Sequence, residues 1–480
     1  MASPLSCAQA LSGLERILGG AGLLTAAAQT EPYVRDQRSL YHGLALAVAL
    51  PRTVTEVTEL LAFCNRHRIG VVPQGGNTGY CGGATPDESG GQIVVSLMRL
   101  NRIRELDPLN YSIIAEAGCV LERVQRAADD AQRLFPLSLG SEGSCQLGGN
   151  LSTNAGGVHV LRYGMMRDLV LGLEVALADG RLLSSLGTLR KDNTGYDIKA
   201  LFLGAEGTLG IITAASLKLF PKLRAFATAF VAVPEPRAAL DLLARLRDAT
   251  GDAVSSFELI PRIAVELTAR HIPGVRDPLG DPYPWYVLCE LTSPRAAEPL
   301  ADLLEQSLAA AVQENLVLNA AVARDERDRA AFWKLRETIP EAQRRDGGSL
   351  KHDISVPVAS VPQFIERGAR WIAEHVPEGR LVAYGHLGDG NLHFNLNQAP
   401  GAERAAFLAR EEPLKRAIHD LAREFGGSFS AEHGIGRLKV AELERYAPAV
   451  ELDLMRAIKR TLDPNGILNP GKVLRAHAAA

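Results

Sequence analysis

None of the six cysteines (Cys7, Cys64, Cys81, Cys119, Cys145 and Cys289) forms a CxxC pair. Thiols this sparse read as buried or incidental groups of a reducing compartment. Nowhere do Lys and Arg cluster, and the formal net charge is -3, which excludes a general nucleic-acid binder. A long apolar run is also missing. The piece from Ile17 to Ala28 is short and broken by glycines, and the opening Met-Ala-Ser-Pro has no basic n-region. Neither a secretory signal nor a membrane span is expected, so cytoplasm is the expected compartment, with peripheral membrane association still open. No G-x-G-x-x-G follows a strand, opens a helix and has an acidic residue about 20 positions on, which disfavours a nicotinamide enzyme. Internal repeats and low-complexity linkers are absent too.

What is present is a balance of 46% apolar and 22% charged residues, that of a soluble globular protein. At 480 residues the chain should hold roughly two to four structural units. We divide it into a helical lead-in (1–46), a glycine-rich α/β region (47–223), an α+β region (224–430) and a C-terminal segment (431–480). In the second, Thr53 and Glu56 fit a capping box ahead of Val54, Val57, Leu60, Leu61 and Cys64 at helical spacing, and a strand from Ile69 to Val72 follows. In the third, strands at Ala227–Phe230 and Trp285–Leu288 alternate with helices at Pro236–Ala249 and Pro299–Val312, the pattern of an antiparallel sheet covered by helices. A second capping box is expected at Ser360 and Gln363. A helix from Val450 to Leu462 precedes an extended tail, Ile467 to Val473.

Three loops concentrate glycine: Pro73-Gln74-Gly75-Gly76-Asn77-Thr78-Gly79-Tyr80-Cys81-Gly82-Gly83, then Gly140 to Gly157, then Gly204-Ala205-Glu206-Gly207-Thr208-Leu209-Gly210-Ile211-Ile212. So much glycine costs backbone entropy, a cost that makes sense where the backbone closely approaches a ligand. Successive N–H groups can cradle a pyrophosphate. The glycines of the third loop, which enters a strand, could serve packing alone.

The chemistry-bearing segment is Gly385-His386-Leu387-Gly388-Asp389-Gly390-Asn391-Leu392-His393-Phe394-Asn395-Leu396-Asn397. From Leu392 on, Leu392, Phe394 and Leu396 share one strand face, and His393, Asn395 and Asn397 the other. The Gly-Asp-Gly turn could fold His386 back beside His393. Ser430-Ala431-Glu432-His433-Gly434-Ile435-Gly436 adds a carboxylate and an imidazole. His386, His393 and Glu432 make a His2Glu metal set with a coordination position open for substrate, and His433 remains as a base. Gly434 and Gly436 would bend the chain so that both neighbours serve one site. Arg336 and Lys351 are the candidate cations for a substrate carboxylate.

In this order, Pro-x-Gly-Gly-x-Thr-Gly, Gly-Gly-Asn-x-Ser-x-Asn-Ala-Gly-Gly and Gly-x-Glu-Gly-Thr-Leu-Gly-Ile-Ile resemble the FAD-binding domain of the vanillyl-alcohol oxidase / p-cresol methylhydroxylase superfamily. Gly-His-x-Gly-Asp-Gly-Asn-Leu-His and Ala-Glu-His-Gly-Ile-Gly resemble the C-terminal domain of its FAD-linked D-lactate, glycolate and D-2-hydroxyglutarate dehydrogenase subgroup. The resemblance runs from about Pro51 to the end. It implies an α+β protein with a two-subdomain FAD-binding domain, a substrate domain built on an antiparallel sheet, and a C-terminal helical segment. It implies non-covalent FAD, with Gly75, Gly76, Asn77, Thr78 and Gly79 on the pyrophosphate. Ser141, Gly148, Asn150, Ser152 and Asn154 would line the rest, and Pro73, Gly207, Ile211 and Asn469 complete the expected set. It implies a divalent metal on His386, His393 and Glu432, for which Zn²⁺ is favoured and Mn²⁺ or Fe²⁺ would also fit. Arg336, Lys351, Asn395 and His433 would touch the substrate.

The expected reaction is oxidation of a small D-2-hydroxy acid to the 2-oxo acid, D-2-hydroxyglutarate favoured, D-lactate or D-malate next. His433 would be the base, and an external flavoprotein, quinone or cytochrome the electron acceptor. A homodimer rests on the resemblance alone. The chain departs from the D-2-hydroxyglutarate dehydrogenases at Pro340, where they carry Thr; Thr338 is the nearby hydroxyl that could stand in. Two other readings are a flavin-bearing subunit of a glycolate oxidase-type complex and a His2Glu metal hydrolase, which leaves the glycine loops without a purpose.

Overall fold

The computed structural model describes residues 5–476. The chain divides into two compact units, one made of Met1–Gly157, Gly164–Lys222 and Glu432–Ala480, the other of Val158–Tyr163 and Leu223–Ala431. The lead-in (1–46) and nearly all of the C-terminal segment (431–480) thus lie in the same unit as the glycine loops, and the second unit is an insertion in the first.

The first unit holds two main sheets and one two-stranded pair. Strands β1 (Leu23–Leu24), β2 (Ala47–Ala49), β3 (Gly70–Gln74) and β4 (Gln92–Ser96) run in the order β1-β2-β4-β3. Both β2 and β3 are parallel to β4. The helix Val54–His67 buries the expected stripe Val57, Leu60, Leu61 and Cys64. These side chains share one core with Leu14 of the helix Cys7–Leu18, Val71, Ile93 and Val95 of the sheet, and Ile467 and Leu468 of the tail. Each large aliphatic side chain buried there is worth about 1.5–3 kcal/mol. Only half of the expected capping box forms. The Thr53 hydroxyl accepts the N–H of Glu56 (3.1 Å), but the Glu56 carboxylate accepts the N–H of Arg52 (2.6 Å).

The second sheet is antiparallel and wider. It comprises β5 (Ile103–Asp107), β6 (Ser112–Glu116), β8 (Val170–Ala176), β9 (Leu182–Ser185) and β10 (Ile211–Lys218), in the order β5-β6-β10-β8-β9. Two-residue strands β7 (Arg133–Leu134) and β11 (Phe220–Pro221) pair separately. The two sheets correspond to the two expected subdomains.

The second unit is built on one antiparallel sheet. Its strands are β12 (Ala225–Val233), β13 (Val254–Pro261), β14 (Trp285–Ser293), β15 (Asn319–Val322), β16 (Ser349–Leu350), β17 (Asp353–Ser355), β18 (Arg380–His386) and β19 (Asn391–Asn397). The order is β15-β12-β14-β13-β18-β19-β16, with β17 also on β19. Side-chain alternation splits the core into two layers. Ala229 and Val231, Val287 and Cys289, and Leu392, Phe394 and Leu396 face the helices Pro236–Thr250, Leu300–Gln313, Val361–His375 and Glu411–Glu424. Phe230, Ile260, Tyr286, Leu288, Val382 and Tyr384 face the helices Arg262–His271, Glu326–Glu337 and Ile339–Asp346.

The helix Val361–His375 begins without the expected Ser360 cap. A 3-10 turn, Val358–Ser360, runs straight into it, leaving Ser360 in helical geometry (φ -89°, ψ -10°) with no side-chain cap bond. A hydroxyl can cap only from an extended backbone.

The helix Glu326–Glu337 docks through charge as well as apolar contact. Glu290 on β14 is buried and accepts from Arg329 Nε (2.6 Å), Trp333 Nε1 (3.0 Å) and the Thr228 hydroxyl (2.8 Å). Glu290→Ala should lower stability by about 3 kcal/mol, because the remaining donors stay buried. All three tryptophans, Trp285, Trp333 and Trp371, belong to this unit. Tryptophan emission during urea unfolding reads that loss directly, as a lower midpoint.

Candidate active site

In the first unit the glycine loops enclose a cavity. Its wall contains Pro73–Thr85, Cys145, Gln146, Gly148–Asn150, Ser152, Thr153, Glu206, Gly207, Gly210–Ile212 and His433. The empty space is about 1020 Å³ including its open mouth, at the top of the range for ligand pockets of roughly 300–1,000 Å³. The glycines serve two purposes. A Cβ on Gly76 would lie 2.2 Å from Ser144 O, and one on Gly148 2.8 Å from Ala117 Cβ, so these residues let the first loop pack on the second and the second on the turn after β6. A Cβ on Gly79 or Gly149 would meet nothing within 4 Å, so their backbone is laid bare along the wall. The third loop does serve packing: a Cβ on Gly207 would press on Pro73, one on Gly210 on Val175.

Three wall residues, Thr85, Gln146 and Asn150, each carry a buried oxygen without a hydrogen-bond partner. Bare backbone and unpaired polar groups in one concavity suit a large polar ligand such as a dinucleotide. Of the residues expected at the cofactor, Pro73, Gly75, Gly76, Asn77, Thr78, Gly79, Gly148, Asn150, Ser152, Gly207 and Ile211 line this cavity. Ser141, Asn154 and Asn469 do not. Asn154 accepts the N–H of Arg167 (2.8 Å), and Asn469 Nδ2 donates to Gly83 O (2.9 Å) and Glu206 O (2.8 Å), so both brace loops, while Asn469 Oδ1 is buried without a partner.

His433 stands in the same wall. Its ring meets Tyr80 edge-on with centroids 5.0 Å apart, and its Nε2 lies 3.9 Å from the Glu432 carboxylate. Gly434 and Gly436, just after them, take positive φ (+73° and +53°). Burial pushes the carboxyl of Glu206 up, against two backbone N–H groups and Lys439.

In the second unit, the face of the sheet toward the helix Glu326–Glu337 carries a polar island. β18 and β19 form a hairpin across Gly388-Asp389-Gly390 in which His386 is opposite Asn391 and Tyr384 opposite His393. The His386 and His393 rings lie 5.9 Å apart. Arg336 reaches down from the helix, with its guanidinium 4.9 Å from the centre of the Tyr384 ring. Asn395 accepts the N–H of His352 (3.1 Å) and donates to Gln343 (3.0 Å). Lys351 sits half-buried between β16 and β17. Asp353, opposite His393 in the ladder, accepts from Asn391 Nδ2 (3.0 Å).

At the island's centre is a residue that the motifs did not reveal. Glu258 on β13 is 1% exposed. It accepts from Arg336 Nε (2.7 Å) and Nη2 (2.6 Å) through one oxygen and contacts His386 Nδ1 (2.6 Å) through the other. This fixes His386 so that Nε2 is the nitrogen presented for other contacts. The signal was an acid interrupting the apolar alternation of Phe257-Glu258-Leu259-Ile260, as Glu290 does in β14. Thr338 does not stand in for the hydroxyl missing at Pro340: its own hydroxyl donates to Lys334 O (2.7 Å), and Pro340 sits in the first turn of Ile339–Asp346.

Residues 45–185 match the family described as FAD binding domain, and residues 222–473 match FAD linked oxidases, C-terminal domain. The chain belongs to the FAD-linked oxidase family. Among its relatives, this FAD-linked oxidase is 40% identical to the mitochondrial D-2-hydroxyglutarate dehydrogenase of Bos taurus, over 98% of this chain and 84% of that one. It is 38% identical to a probable mitochondrial D-2-hydroxyglutarate dehydrogenase of Oryza sativa subsp. indica, over 97% and 81%. It is 34% identical to a D-2-hydroxyglutarate dehydrogenase of Xanthomonas citri pv. viticola, over 97% of each chain. Its fold is that of p-cresol methylhydroxylase, solved with substrate bound (TM-score 0.74, 17% identity, 98% of this chain and 97% of that one). The family sets aside the metal-hydrolase reading and makes FAD the cofactor of this chain. Among the described residues, no helix is long and apolar enough to cross a membrane.

Burial pushes the Glu258 carboxyl up, but the Arg336 guanidinium and His386 imidazole outweigh it and hold it at about 2, below its ordinary 4.5. A carboxyl lowered on folding adds stability that is complete above its unfolded value and is lost as pH falls toward its folded value. Tryptophan emission in urea should therefore report a midpoint that falls between about pH 4.5 and pH 2. Glu258→Gln should flatten that fall; an unchanged acid limb would remove Glu258 from the cause.

Proposed function

We propose that this FAD-linked oxidase is a dehydrogenase of small D-2-hydroxy acids, with D-2-hydroxyglutarate the favoured substrate and D-lactate and D-malate next. The observation that carries the reading is the polar island around Glu258, where two imidazoles and a guanidinium meet on an otherwise apolar sheet face. The names of relatives aligned over nearly the whole chain support it.

Arg336 and Lys351 bind the substrate carboxylates and fix which hydrogen on C2 faces the flavin. Glu258 partly neutralises Arg336, so the second cation, Lys351, supplies charge that Arg336 alone does not. Asn395, held by Gln343 and His352, keeps an amide hydrogen for the substrate. His433, in the wall of the FAD cavity, takes the proton of the 2-hydroxyl. Bound FAD supplies the acceptor for the hydride from C2. His386, His393 and Glu432 hold a divalent metal, Zn²⁺ favoured, whose contribution is Lewis acidity toward the hydroxyl. One feature supports this set: Glu258 holds Nδ1 of His386 and leaves Nε2 for another contact. Electrons then pass to an external flavoprotein, quinone or cytochrome, and the working form is a homodimer.

Pro340 favours a second reading. It offers no hydroxyl where the D-2-hydroxyglutarate dehydrogenases have one, and Thr338 is already bonded, so a shorter acid such as D-lactate loses less here.

Anaerobic addition of D-2-hydroxyglutarate, D-lactate, D-malate and their L forms to the holoenzyme separates the readings. Bleaching of the flavin band by the D form of one acid names the substrate, and no bleaching by any of them overturns the substrate class. His433→Asn should slow bleaching by about 100-fold or more with FAD retained. Chelator treatment should abolish turnover, and added Zn²⁺ or Mn²⁺ should restore it to the wild type but not to His386→Ala. Full activity in the metal-free protein would refute the metal set.

A further inference from the structure

Glu206 belongs to the third glycine loop, yet its bonds reach every other part of the cofactor wall. Its backbone N–H donates to Ser152 O in the second loop (2.8 Å). Its carbonyl accepts from Asn469, which also holds Gly83 of the first loop. Its side chain turns to the His433 segment: Oε1 accepts the N–H of Ile435 and Oε2 that of Gly436, both at 2.7 Å. A Cβ on Gly434 would lie 2.7 Å from Oε1, so the loop closes on this carboxylate only because residue 434 has no side chain. Glu206 itself sits at φ +51°, a conformation that non-glycine residues adopt at a cost.

A buried carboxylate is costly to place, and a hydrophobic or amide residue would fill the space. What only a carboxylate provides here is two acceptors aimed at two consecutive backbone donors. The turn Gly434-Ile435-Gly436 has two glycines with positive φ and little stiffness of its own. His433, just ahead of it, has no regular strand or helix to hold it.

We infer that Glu206 is a positioning residue for the oxidation step: its carboxylate clamps the Gly434–Gly436 turn to the flavin cavity wall and so sets where the His433 imidazole stands. This rests on the reading of His433 as the base. Glu206 also lines the cavity, but in this role it acts through the loop.

Glu206→Gln keeps the size of the side chain but offers one acceptor and an NH2 group, which opposes one of the two backbone N–H donors. The test is a double-mutant cycle on the holoenzyme, read as the rate of anaerobic flavin bleaching by D-2-hydroxyglutarate, or by D-lactate if that is the acid that bleaches the wild type. E206Q should keep its FAD but bleach at least about tenfold more slowly, since a displaced catalytic group loses rate steeply. In the H433N background, E206Q should cause no further loss. A wild-type rate in E206Q, or the same fold-loss again in the double variant, overturns the inference, because a general structural defect would add. An unchanged rate in H433N alone overturns the base reading and this inference with it, and is recognisable as that. If E206Q does not retain FAD, G434A, which pushes the same carboxylate from the loop side, should give the same loss and the same non-additivity. A wild-type rate in G434A overturns the clamp.

Discussion

The polar island of the second unit depends on one buried carboxylate, Glu258. Glu258 lies on the inner strand of an apolar sheet face, where an uncompensated carboxylate would be severely penalised. It is tolerated because two cationic or proton-donating groups converge on it from separate elements, Arg336 from a helix and His386 from the end of β18. Each partner is thereby immobilised. The helix cannot rotate without breaking the ion pair, and the imidazole cannot flip without losing its bond. Fixed side chains of this kind let a site act on a substrate without reorganising during the reaction.

The first unit meets the opposite demand. Its wall must expose backbone rather than hide it, so it is made of residues that contribute almost no side chain. Gly79 and Gly149 leave room, whereas Gly76 and Gly148 allow the close approach of neighbouring backbone segments. Rigidity comes from a few polar side chains, Asn154, Asn469 and Glu206, which bond backbone atoms of neighbouring loops.

The two faces of β19 were legible in the sequence because strand alternation is periodic and the residues contrast strongly. The helix stripes at Val57–Cys64, the antiparallel sheet and the glycine cradle were legible for the same reason. What escaped was long-range and non-periodic. Glu258 and Arg336 are far apart in sequence, and nothing local marks a strand acid as a partner of a helix guanidinium. The loop-bracing bonds of Asn154 and Asn469 were not legible either, because residue type alone does not say which backbone atoms a side-chain amide meets. The Ser360 cap had the right residues at the right spacing and failed because the preceding turn already fixed the backbone in helical geometry.

The tail has a consequence for how the protein is made. Ile467 and Leu468 fill the core of the first unit, and Val71 bonds on both sides, to Ile467 O and from Asn469 N, each at 2.7 Å. The strand that opens the first glycine loop is therefore completed by residues synthesised almost four hundred positions later. On the ribosome the inserted unit can close as soon as its own strands have emerged, while the surrounding one waits with its cradle unfinished. Capture of the flavin is thus a late event in biosynthesis. A chain ending before Ile467 would lose both the core plug and the Asn469 brace, and would be left as a folded insertion within an incomplete frame.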